Sequence, residues 1–556
     1  MSVIAQLRDA VAREPARLQP RLDLIEALRR TGSLGEAEEE LRYIVERAPR
    51  RHELRFELAK LQYDRRHLLD CLKNTRQLIR SLREESAVWL LHGMTLSHLE
   101  GLEEAEKAFR RALKLNENNS SCLLFLGQVL QRRHRCTEAV EQLERACELE
   151  PENLSMLHAL AQAALADERY EYAIELLGRL IEMGMDDLGI RKNMALCHHR
   201  MGQGAQAEKW YLLAQRLSLS DPEAHYSLAM VYLAQGQYRR AWPEYEYRWN
   251  ADLPMTQLPQ TSIPRWLGED IQGKRILVTS EQGVGDNVQF CRFIRKLQER
   301  CEPGHIGYIT PEDCADLFAG IDGVDEILPG RVLAHSRYDC YTPLMSLMAL
   351  LDLDAEDIEA PSPYLKVPAE RSHKWGGWFD ARLRSPLPKV GIAWTGSSTH
   401  SANHQRSIPV EALKPVFEFD RVQWVSLQYE GEAELAAAQM QAVYAPLNVP
   451  DGKIDFADTA AIISRLDLLI SVDTSVAHIA GALNVPVWTL LSRSGDWRYL
   501  YEGDTTPWYP SMRLLRNPEY RSWKPLIEML GEALEVNFPD MAPKSAPAQK
   551  AAAAAA

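Results

Sequence analysis

The hydrophobic pattern of the first half of the chain repeats every 34 residues. One series of small residues comprises Ala37, Cys71, Ala105, Ala139, Ala173, Ala207 and Ala241. A second series with the same spacing comprises Ile25, Ala59, Gly93, Gly127, Ala161, Ala195 and Ala229. Thirteen of these fourteen positions hold Ala, Gly or Cys, types that fill only roughly a fifth of an ordinary chain. The period therefore predicts about seven structural repeats.

Each repeat is expected to be a pair of antiparallel helices. Small residues are needed where two helices touch, because a close backbone approach leaves no room for Leu or Phe. Bulkier residues with the same period are expected to fill the adjoining layer: Leu41, Phe109, Leu143 and Leu177. Three glycines stand five residues before a residue of the first series, where a turn between helices is predicted: Gly32, Gly202 and Gly236.

This helical pattern resembles the tetratricopeptide repeat over about residues 18–255. We therefore assign residues 1–255 to an all-α superhelix, whose concave face can hold an extended segment of a partner protein. The alternative is a spacer or a dimerisation arm, because solenoids carry out no chemistry themselves. A homo-oligomer is compatible with that alternative.

Beyond residue 255 the pattern changes to that of an α/β region. Several prolines mark a linker over residues 256–272. Six apolar runs then alternate with amphipathic helices: RILVTS, HIGYIT, KVGIAWTG, VQWVSLQ, LDLLISV and VPVWTLL. Continuous apolar runs are typical of parallel strands that are covered on both faces. A proline-bearing break divides the region into two Rossmann-like halves, 273–385 and 386–538, and the low-complexity tail 539–556 is expected to be disordered.

The first candidate site is the stretch SEQGVGDNVQF, residues 280–290, which follows the strand RILVT. Ligands of doubly wound sheets bind at the carboxyl ends of the strands, and Gly283 and Gly285 allow a ligand to approach the backbone closely. An apolar stripe from Phe290 to Leu297 predicts a helix that begins near Asp286. Asp286 is then either a helix cap or a functional carboxylate that faces the cleft between the halves. The dinucleotide pattern G-x-G-x-x-G is incomplete here, because its third glycine is missing.

A second candidate site follows the buried strand at 468–472. Asp473 ends this strand, and Thr474, Ser475 and His478 begin the next helix, with Ser475 and His478 on one face. Free amides and hydroxyl groups at a helix start are suited to bind phosphate.

A third candidate site follows the strand that contains GIAW. Thr395 and Gly396 end this strand, and His400, His404 and Arg406 come within the next ten residues. Basic and hydroxyl groups at two neighbouring strand ends are suited to a diphosphate.

Composition narrows the class of function. The chain of 556 residues has a net charge of -14, which disfavours a broad surface for nucleic acid or anionic membranes. Its nine cysteines are scattered without a C-x-x-C pair, so neither a disulfide framework nor a zinc site is predicted. We find no secretory signal and no run of eighteen apolar residues. A cytoplasmic protein without a transmembrane segment is therefore expected.

Four motifs of the second half resemble the glycosyltransferase region of bacterial tetratricopeptide-repeat glycosyltransferases. They are ILVTSEQGVGDNVQFCRF, GIAWTGSSTHSANHQRSIP, FADTAAIISRLDLLISVDTSVAHIAGAL and WYPSMRLLR, within about residues 266–535. That region is similar to the lipopolysaccharide heptosyltransferases, which implies the GT-B fold and an inverting reaction without a metal. Repeats followed by GT-B are also similar to O-linked N-acetylglucosamine transferase and to flagellin glycosyltransferases.

The resemblance implies roles for individual residues. Gly285 and Asp286 match the Gly-Asp that supplies the acceptor base of heptosyltransferases. Asp473, Thr474 and His478 match their Asp-Thr-Gly and later His, which bind the donor phosphates.

Two departures from the family pattern leave the donor sugar open. Ser475 replaces the Gly of the Asp-Thr-Gly motif, and Arg406 stands where heptosyltransferases have Lys. The expected donor class is nevertheless a nucleotide sugar.

We therefore predict a transferase that moves a sugar from a nucleotide donor to Ser or Thr of a protein held by the repeats. Asp286 would accept the hydroxyl proton, and no cofactor or metal is expected. Asp473 is expected to order its own loop or to bond a donor hydroxyl, because a carboxylate beside the phosphates would repel them. Flagellin is an acceptor candidate through the resemblance alone. The alternatives are a transferase for a lipid-linked or polysaccharide glycan, with repeats that bind partner enzymes, and a non-catalytic scaffold with a decayed transferase domain.

Overall fold

A computed structural model describes residues 3–15, 17–253, 257–330, 337–358, 362–397, 403–429, 435 and 454–539 of the chain. The chain forms two compact units, Met1–Asp186 and Asp187–Ala556. Within the described residues, eleven repeat helices belong to the first unit and four to the second. None of the nine cysteines forms a disulfide.

The first unit consists of helices connected by short turns. Its helices are α1 Val3–Arg13, α2 Leu18–Arg30, α3 Leu34–Arg47, α4 His52–Asp64, α5 Leu68–Ser81, α6 Ser86–His98, α7 Leu102–Leu115, α8 Ser120–Arg132, α9 Cys136–Leu149, α10 Leu154–Ala166 and α11 Tyr170–Glu182. All have 11 to 14 residues, and successive helices pack against each other. This unit is the helical-repeat architecture that the 34-residue period predicts.

The small residues of the period lie at the contacts between helices, as predicted. All seven residues of the series that starts at Ala37 are fully buried. A Cβ atom on Gly93 would lie 2.6 Å from Cε1 of Phe109, and one on Gly127 would lie 2.5 Å from Cγ of Leu143. These distances are too short for any larger residue. A bulky residue in one helix therefore requires a small residue at the position that it contacts in the next helix.

The second unit begins with the last four repeat helices, α12 Leu188–Arg200, α13 Gly204–Leu217, α14 Pro222–Ala234 and α15 Tyr238–Tyr245, and the 3-10 turn Glu246–Trp249. The N-terminal α/β half contains β1 Arg275–Thr279, α16 Val284–Phe290, α17 Phe293–Cys301, β2 His305–Thr310, α18 Ala315–Phe318, β3 Glu326–Pro329, β4 Cys340–Pro343, α19 Leu347–Leu350, α20 Ala355–Ile358 and α21 Ala369–Arg382. The C-terminal half contains β5 Lys389–Ala393, α22 Asn403–Arg406, α23 Lys414–Phe417, β6 Gln423–Ser426, helix Phe456–Ile463, β7 Leu468–Val472, helix Ser475–Ala482, β8 Val487–Leu491, β9 Met512–Arg516 and helix Lys524–Asn537.

Each α/β half contains one parallel sheet. The N-terminal sheet has the order β3-β2-β1-β4, and the C-terminal sheet has the order β6-β5-β7-β8-β9. The registers pair Ile276 with Ile306 and Val390 with Leu468. The strand order reverses between β1 and β4 and between β5 and β7, and ligands of such sheets bind outside the carboxyl ends of strands at these reversals. This confirms the predicted fold class, helical repeats followed by a GT-B-like region with two Rossmann-like halves.

An aromatic cluster joins three segments of the second unit. Trp242 of α15, Phe290 of α16, and Trp497 and Trp508 of the C-terminal half contribute to it. Their ring centroids are 6.3 Å apart for Trp242 and Trp497, and 5.7 Å apart for Phe290 and Trp508. Each of the four residues is at least nine-tenths buried. The last repeat helix and both α/β halves therefore share one hydrophobic core.

Candidate functional site

Hydrogen bonds between side chains and backbone groups hold Asp286 in place in the turn after β1. Helix α16 begins at Val284, two residues earlier than predicted, so Asp286 lies in its first turn and is not the N-terminal cap itself. The Gly283 amide donates to Oδ2 of Asp286 at 2.9 Å. Asn287 donates to the carbonyl oxygens of Glu281 and Gly283 at 3.0 and 2.8 Å. These bonds fix the direction of the Asp286 side chain.

The second oxygen of Asp286 accepts a hydrogen bond from the guanidinium group of Arg498. Arg498 belongs to the C-terminal half, and it also donates to Asp496 at 2.9 Å and to Gln289 at 2.5 Å. Burial opposes its charge, but the carboxylates of Asp496 and Asp286 hold the pKa of Arg498 well above its usual value. Asp286 of the N-terminal half is therefore in direct contact with a permanent cation of the C-terminal half.

Asp473, at the carboxyl end of β7, lies in a buried polar cluster. Its Oδ1 accepts a hydrogen bond from the Tyr499 hydroxyl at 2.7 Å and lies 3.7 Å from Nε2 of His478. Burial alone would raise the pKa of Asp473, but His478, Tyr499 and the charge of Arg406 hold it below its usual value. Asp473 thus remains a carboxylate that orders its surroundings.

His478 is almost fully buried on the helix Ser475–Ala482. Its Nδ1 forms a hydrogen bond of 2.9 Å with the Tyr509 hydroxyl. This bond and the contact with Asp473 fix the imidazole ring in one orientation. No side chain among the described residues caps the start of this helix, and the Thr474 and Ser475 side chains beside its first amides are only partly buried.

Gly285 brings the two helix starts together. A Cβ atom at this position would lie 2.8 Å from Cδ2 of His478 and 3.5 Å from Cα of Ser475. The first turn of α16 therefore packs directly on the first turn of the helix Ser475–Ala482. Because of this contact, the predicted acceptor residue Asp286 and the predicted donor residues His478 and Ser475 lie in one site.

The third predicted segment forms a polar cluster at the end of β5. Asn403 donates to the Thr395 hydroxyl at 3.2 Å, and Arg406 donates to Asn403 at 3.3 Å. The guanidinium group of Arg406 covers Gly396, where a Cβ atom would lie 2.6 Å from Nη2. Because β5 and β7 are adjacent, this cluster and Asp473 share one edge of the sheet.

The same segment contains two predicted donor-site histidines. His404 is exposed on α22, and His400 lies outside the described residues.

Sequence reasoning did not find Arg498, Tyr499 and Tyr509, which contact the predicted residues Asp286, Asp473 and His478 directly. All three lie in the irregular segment between β8 and β9. The signal in the sequence is the aromatic density of WRYLY and PWYP around a single internal arginine. A loop that is this rich in aromatic residues is expected to be buried.

Comparison with known proteins supports the predicted character of both parts of the chain, the repeats and the α/β region. The family model "Glycosyltransferase family 9 (heptosyltransferase)" matches residues 424–524. Two tetratricopeptide-repeat models match residues 86–119 and 124–187. No helix among the described residues has the length and apolar character needed to cross a bilayer.

The similar proteins include "Protein FlbA" of Caulobacter vibrioides, which is 27% identical over 331 residues. The match covers 56% of this chain and 54% of that protein, so the chain spans about half the length of the curated relative that it matches. A tetratricopeptide repeat protein from Parabacteroides merdae has 15% identity and a TM-score of 0.35, with 42% of this chain and 93% of that chain covered. A repeat protein of Thermus thermophilus has 21% identity and a TM-score of 0.27, with coverage of 32% and 97%. The chain is thus similar to tetratricopeptide-repeat proteins in its first half and to glycosyltransferase family 9 over residues 424–524.

Proposed function

We propose that the protein is an inverting, metal-independent transferase that moves a sugar from a nucleotide-sugar donor to a Ser or Thr hydroxyl of a protein acceptor. The observation that carries the proposal is the packing of the Asp286 turn on the helix Ser475–Ala482, where Gly285 permits the close approach. This packing supports a reaction in which a carboxylate and a phosphate-binding helix start act on the same substrate pair.

The donor side of the proposal uses the residues at the ends of β5 and β7. Arg406 would form charge-assisted hydrogen bonds with the diphosphate, and the amides at the start of the helix Ser475–Ala482 would bind it through their partial positive charge. Thr395, Thr474 and Ser475 add hydroxyl donors. His478 is held by Tyr509 at the same helix start, which supports a role in orienting the phosphates.

The acceptor side uses Asp286 as general base. A carboxylate has about four lone-pair positions, so its contacts with Gly283 and Arg498 leave positions for an acceptor hydroxyl. The acceptor oxygen bonds to the anomeric carbon while the bond from that carbon to the donor phosphate breaks. The hydroxyl proton moves to Asp286, and the diphosphate leaves with the electron pair. Attack opposite the leaving group inverts the anomeric centre.

A protein acceptor is supported by the repeats, because tetratricopeptide repeats are protein-interaction modules. Flagellin remains a candidate acceptor through the architecture that the sequence resembles. The heptosyltransferase description of the matching family favours a second candidate function, transfer to a glycan while the repeats bind a partner enzyme.

The first experiment measures the melting temperature of the full chain with UDP, GDP, ADP, CDP and CMP. A nucleotide that binds only the folded state raises this temperature, and calorimetry then gives its affinity. We expect Arg406→Ala and His478→Ala to weaken binding by about tenfold or more, while EDTA has no effect. Arg513→Ala is the control, because Arg513 is exposed on β9 of the same sheet. Unchanged affinity in both variants, or a strict requirement for a metal, would contradict the assigned donor site.

The second experiment measures sugar transfer from the donor identified in this way. Asp286→Asn should reduce transfer by about 10² to 10⁴-fold and leave nucleotide affinity nearly unchanged. Near-normal turnover of this variant would mean that Asp286 is only a structural residue of the turn. Absence of binding to every nucleotide would favour the non-catalytic scaffold.

A further inference from the structure

The end of the repeat region reaches the turn that carries Asp286. Arg248, in the 3-10 turn after α15, has a fully buried side chain. Its Nε and Nη2 donate to the two carboxylate oxygens of Glu281 at 3.1 and 3.2 Å. Glu281 is the second residue after β1. A two-point ion pair therefore joins the last repeat to the start of the turn.

The charged form of the buried Glu281 carboxyl is stabilised by Arg248. Burial raises the pKa of the Glu281 carboxyl, while Arg248 and the Met345 amide, which donates at 2.6 Å, counteract that effect. The guanidinium group of Arg248 also donates to Glu246, the Ser346 hydroxyl and the Tyr245 carbonyl, and it lies over the ring of Trp249. Every polar partner of this pair is therefore fixed by the fold and not by solvent.

The next residue of the turn is held by the same repeat segment. Gln282 has a φ of +56°, a left-handed conformation that a non-glycine residue adopts only at a cost. Its side-chain amide donates to the Tyr245 hydroxyl at 2.9 Å. The turn thus keeps a strained conformation because two residues of the repeat segment bind its side chains.

Hydrogen bonds between side chains and backbone groups link Glu281 to Asp286. Asn287 donates to the Glu281 carbonyl oxygen, and the Gly283 amide donates to Asp286. Tyr308 of β2 donates to Oδ1 of Asn287 at 3.1 Å, which fixes the orientation of its amide. A displacement of Glu281 must therefore alter the position of Gly283 and, through it, of the Asp286 carboxylate.

We propose that Arg248 is a positioning residue for Asp286: the repeat region fixes the orientation of the general base through the Arg248–Glu281 pair. This inference rests on the proposed function of Asp286. The last repeat then contributes to catalysis by orienting Asp286, in addition to any role of the repeats in binding a partner.

The test compares Arg248→Lys with Arg265→Lys in the full chain. Lysine keeps the charge but cannot make the two-point contact with Glu281. Arg265 is the matched control, because it shares the partners Glu246 and Ser346 with Arg248 and its own hydrogen bonds do not include Glu281. We expect Arg248→Lys to slow transfer by about tenfold or more, with nucleotide affinity unchanged, whereas Arg265→Lys keeps the normal rate.

A double-mutant cycle with Asp286→Asn separates positioning from general damage to the fold. If Arg248 acts through Asp286, Arg248→Lys should cause no further loss in the Asp286→Asn background. If the two substitutions instead reduce the transfer rate by factors that multiply, the proposal is overturned even if Asp286 is the base. Normal turnover of Asp286→Asn alone would instead overturn the proposed function.

Hydrogen exchange gives a readout that needs no substrate. Arg248→Lys should speed exchange in peptides that cover residues 281–287 and leave the strand 305–310 unchanged. Because Arg248 is buried, the double variant Arg248→Met, Glu281→Gln provides a second test in which no unpaired charge remains. It should show the same faster exchange. Wild-type exchange in both variants would overturn the inference.

Discussion

Gly285 of the N-terminal α/β half and His478 of the C-terminal half are in direct contact. A Cβ atom on Gly285 would lie 2.8 Å from Cδ2 of the imidazole, which is shorter than any ordinary van der Waals contact. His478 cannot move away easily, because its Nδ1 forms a hydrogen bond with the Tyr509 hydroxyl and the ring is almost fully buried. The absence of a side chain at Gly285 therefore sets the distance between the two sides of the proposed reaction.

Gly285→Ala should separate the two helix starts and lose sugar transfer. The overpacking should also lower the free energy of unfolding by about 1–3 kcal/mol. Gly531→Ala, in the helix Lys524–Asn537, is the control, because nothing lies within 4 Å of its Cβ position and Ala is favoured in helices by about 0.5–1 kcal/mol. Thermal melting and transfer rates check both variants. Wild-type transfer by Gly285→Ala would show that the close approach is dispensable.

Arg498→Met should reduce transfer by on the order of 10²-fold, because Asp286 loses one of its two orienting contacts. Stability should fall as well, since Gln289 and Asp496 lose a buried donor. Arg493→Met is the control in the same loop region: it removes an exposed arginine that donates to the Pro518 carbonyl. Equal transfer rates for the two variants would contradict a role of Arg498 in orienting Asp286.

His199 should make the stability of the second unit sensitive to acid. Its Nδ1 lies 2.6 Å from the Tyr501 hydroxyl, and burial, with a contribution from Arg200, lowers its pKa from 6.5 to about 3. Between these values the unfolded chain binds a proton that the folded chain does not bind. Stability is thus complete above pH 6.5 and falls towards pH 3 by about 1.4 kcal/mol per pH unit from this group.

His199→Asn should remove that contribution, so the variant should lose less stability between pH 6.5 and 4 than the wild type. Denaturant unfolding at several pH values measures the difference. His198→Asn is the control for loss of an imidazole at the same helix end, because His198 contacts Gln203 and not Tyr501. Parallel pH curves for wild type and His199→Asn would contradict the assignment.

A fragment of residues 256–539 should not fold cooperatively, whereas residues 187–539 should. The shorter fragment lacks Trp242, which is almost fully buried and donates to the Leu353 carbonyl at 2.9 Å. It also lacks Arg248, so Glu281 would be buried without its cation. Calorimetric melting of both fragments decides the matter. A cooperative transition of the shorter fragment at the wild-type temperature would show that the repeat helices are not needed for the core.

The helical repeats could be predicted because their period is imposed by contact distances. Gly93 and Gly127 are small for the physical reason that the sequence suggested, the rings and branches packed on them. Six strands were likewise visible as apolar runs. The strands β3, β4 and β9 were not predicted. The first two have four residues and end in proline, and the apolar residues of β9 are interrupted by arginines at its second and last positions.

The candidate site could be predicted only where it follows a strand. Asp286 and Asp473 stand at positions that the rule for strand ends identifies, and their assigned roles stay predictions. Arg498 was missed because 212 residues separate it from Asp286 in the chain. Its segment also has no periodicity, and only the folded chain brings the two residues together. For the same reason the contact between Arg248 and Glu281 could not be predicted from the sequence.

The last repeat helices are bonded to loops of both sheets. The Ala234 carbonyl accepts from the Tyr501 amide, and the Arg200 carbonyl accepts from Ser494 and Tyr520, all in the C-terminal half. A few residues later, Trp242 and Arg248 bond to the N-terminal half. Between these two sets of contacts the chain turns at Gly236, with a φ of +72°. Because Trp242 of α15 also packs on Trp497 of the C-terminal half, the last repeat helix contacts both α/β halves, and any change in the spacing of the halves must disturb the packing of the last repeat.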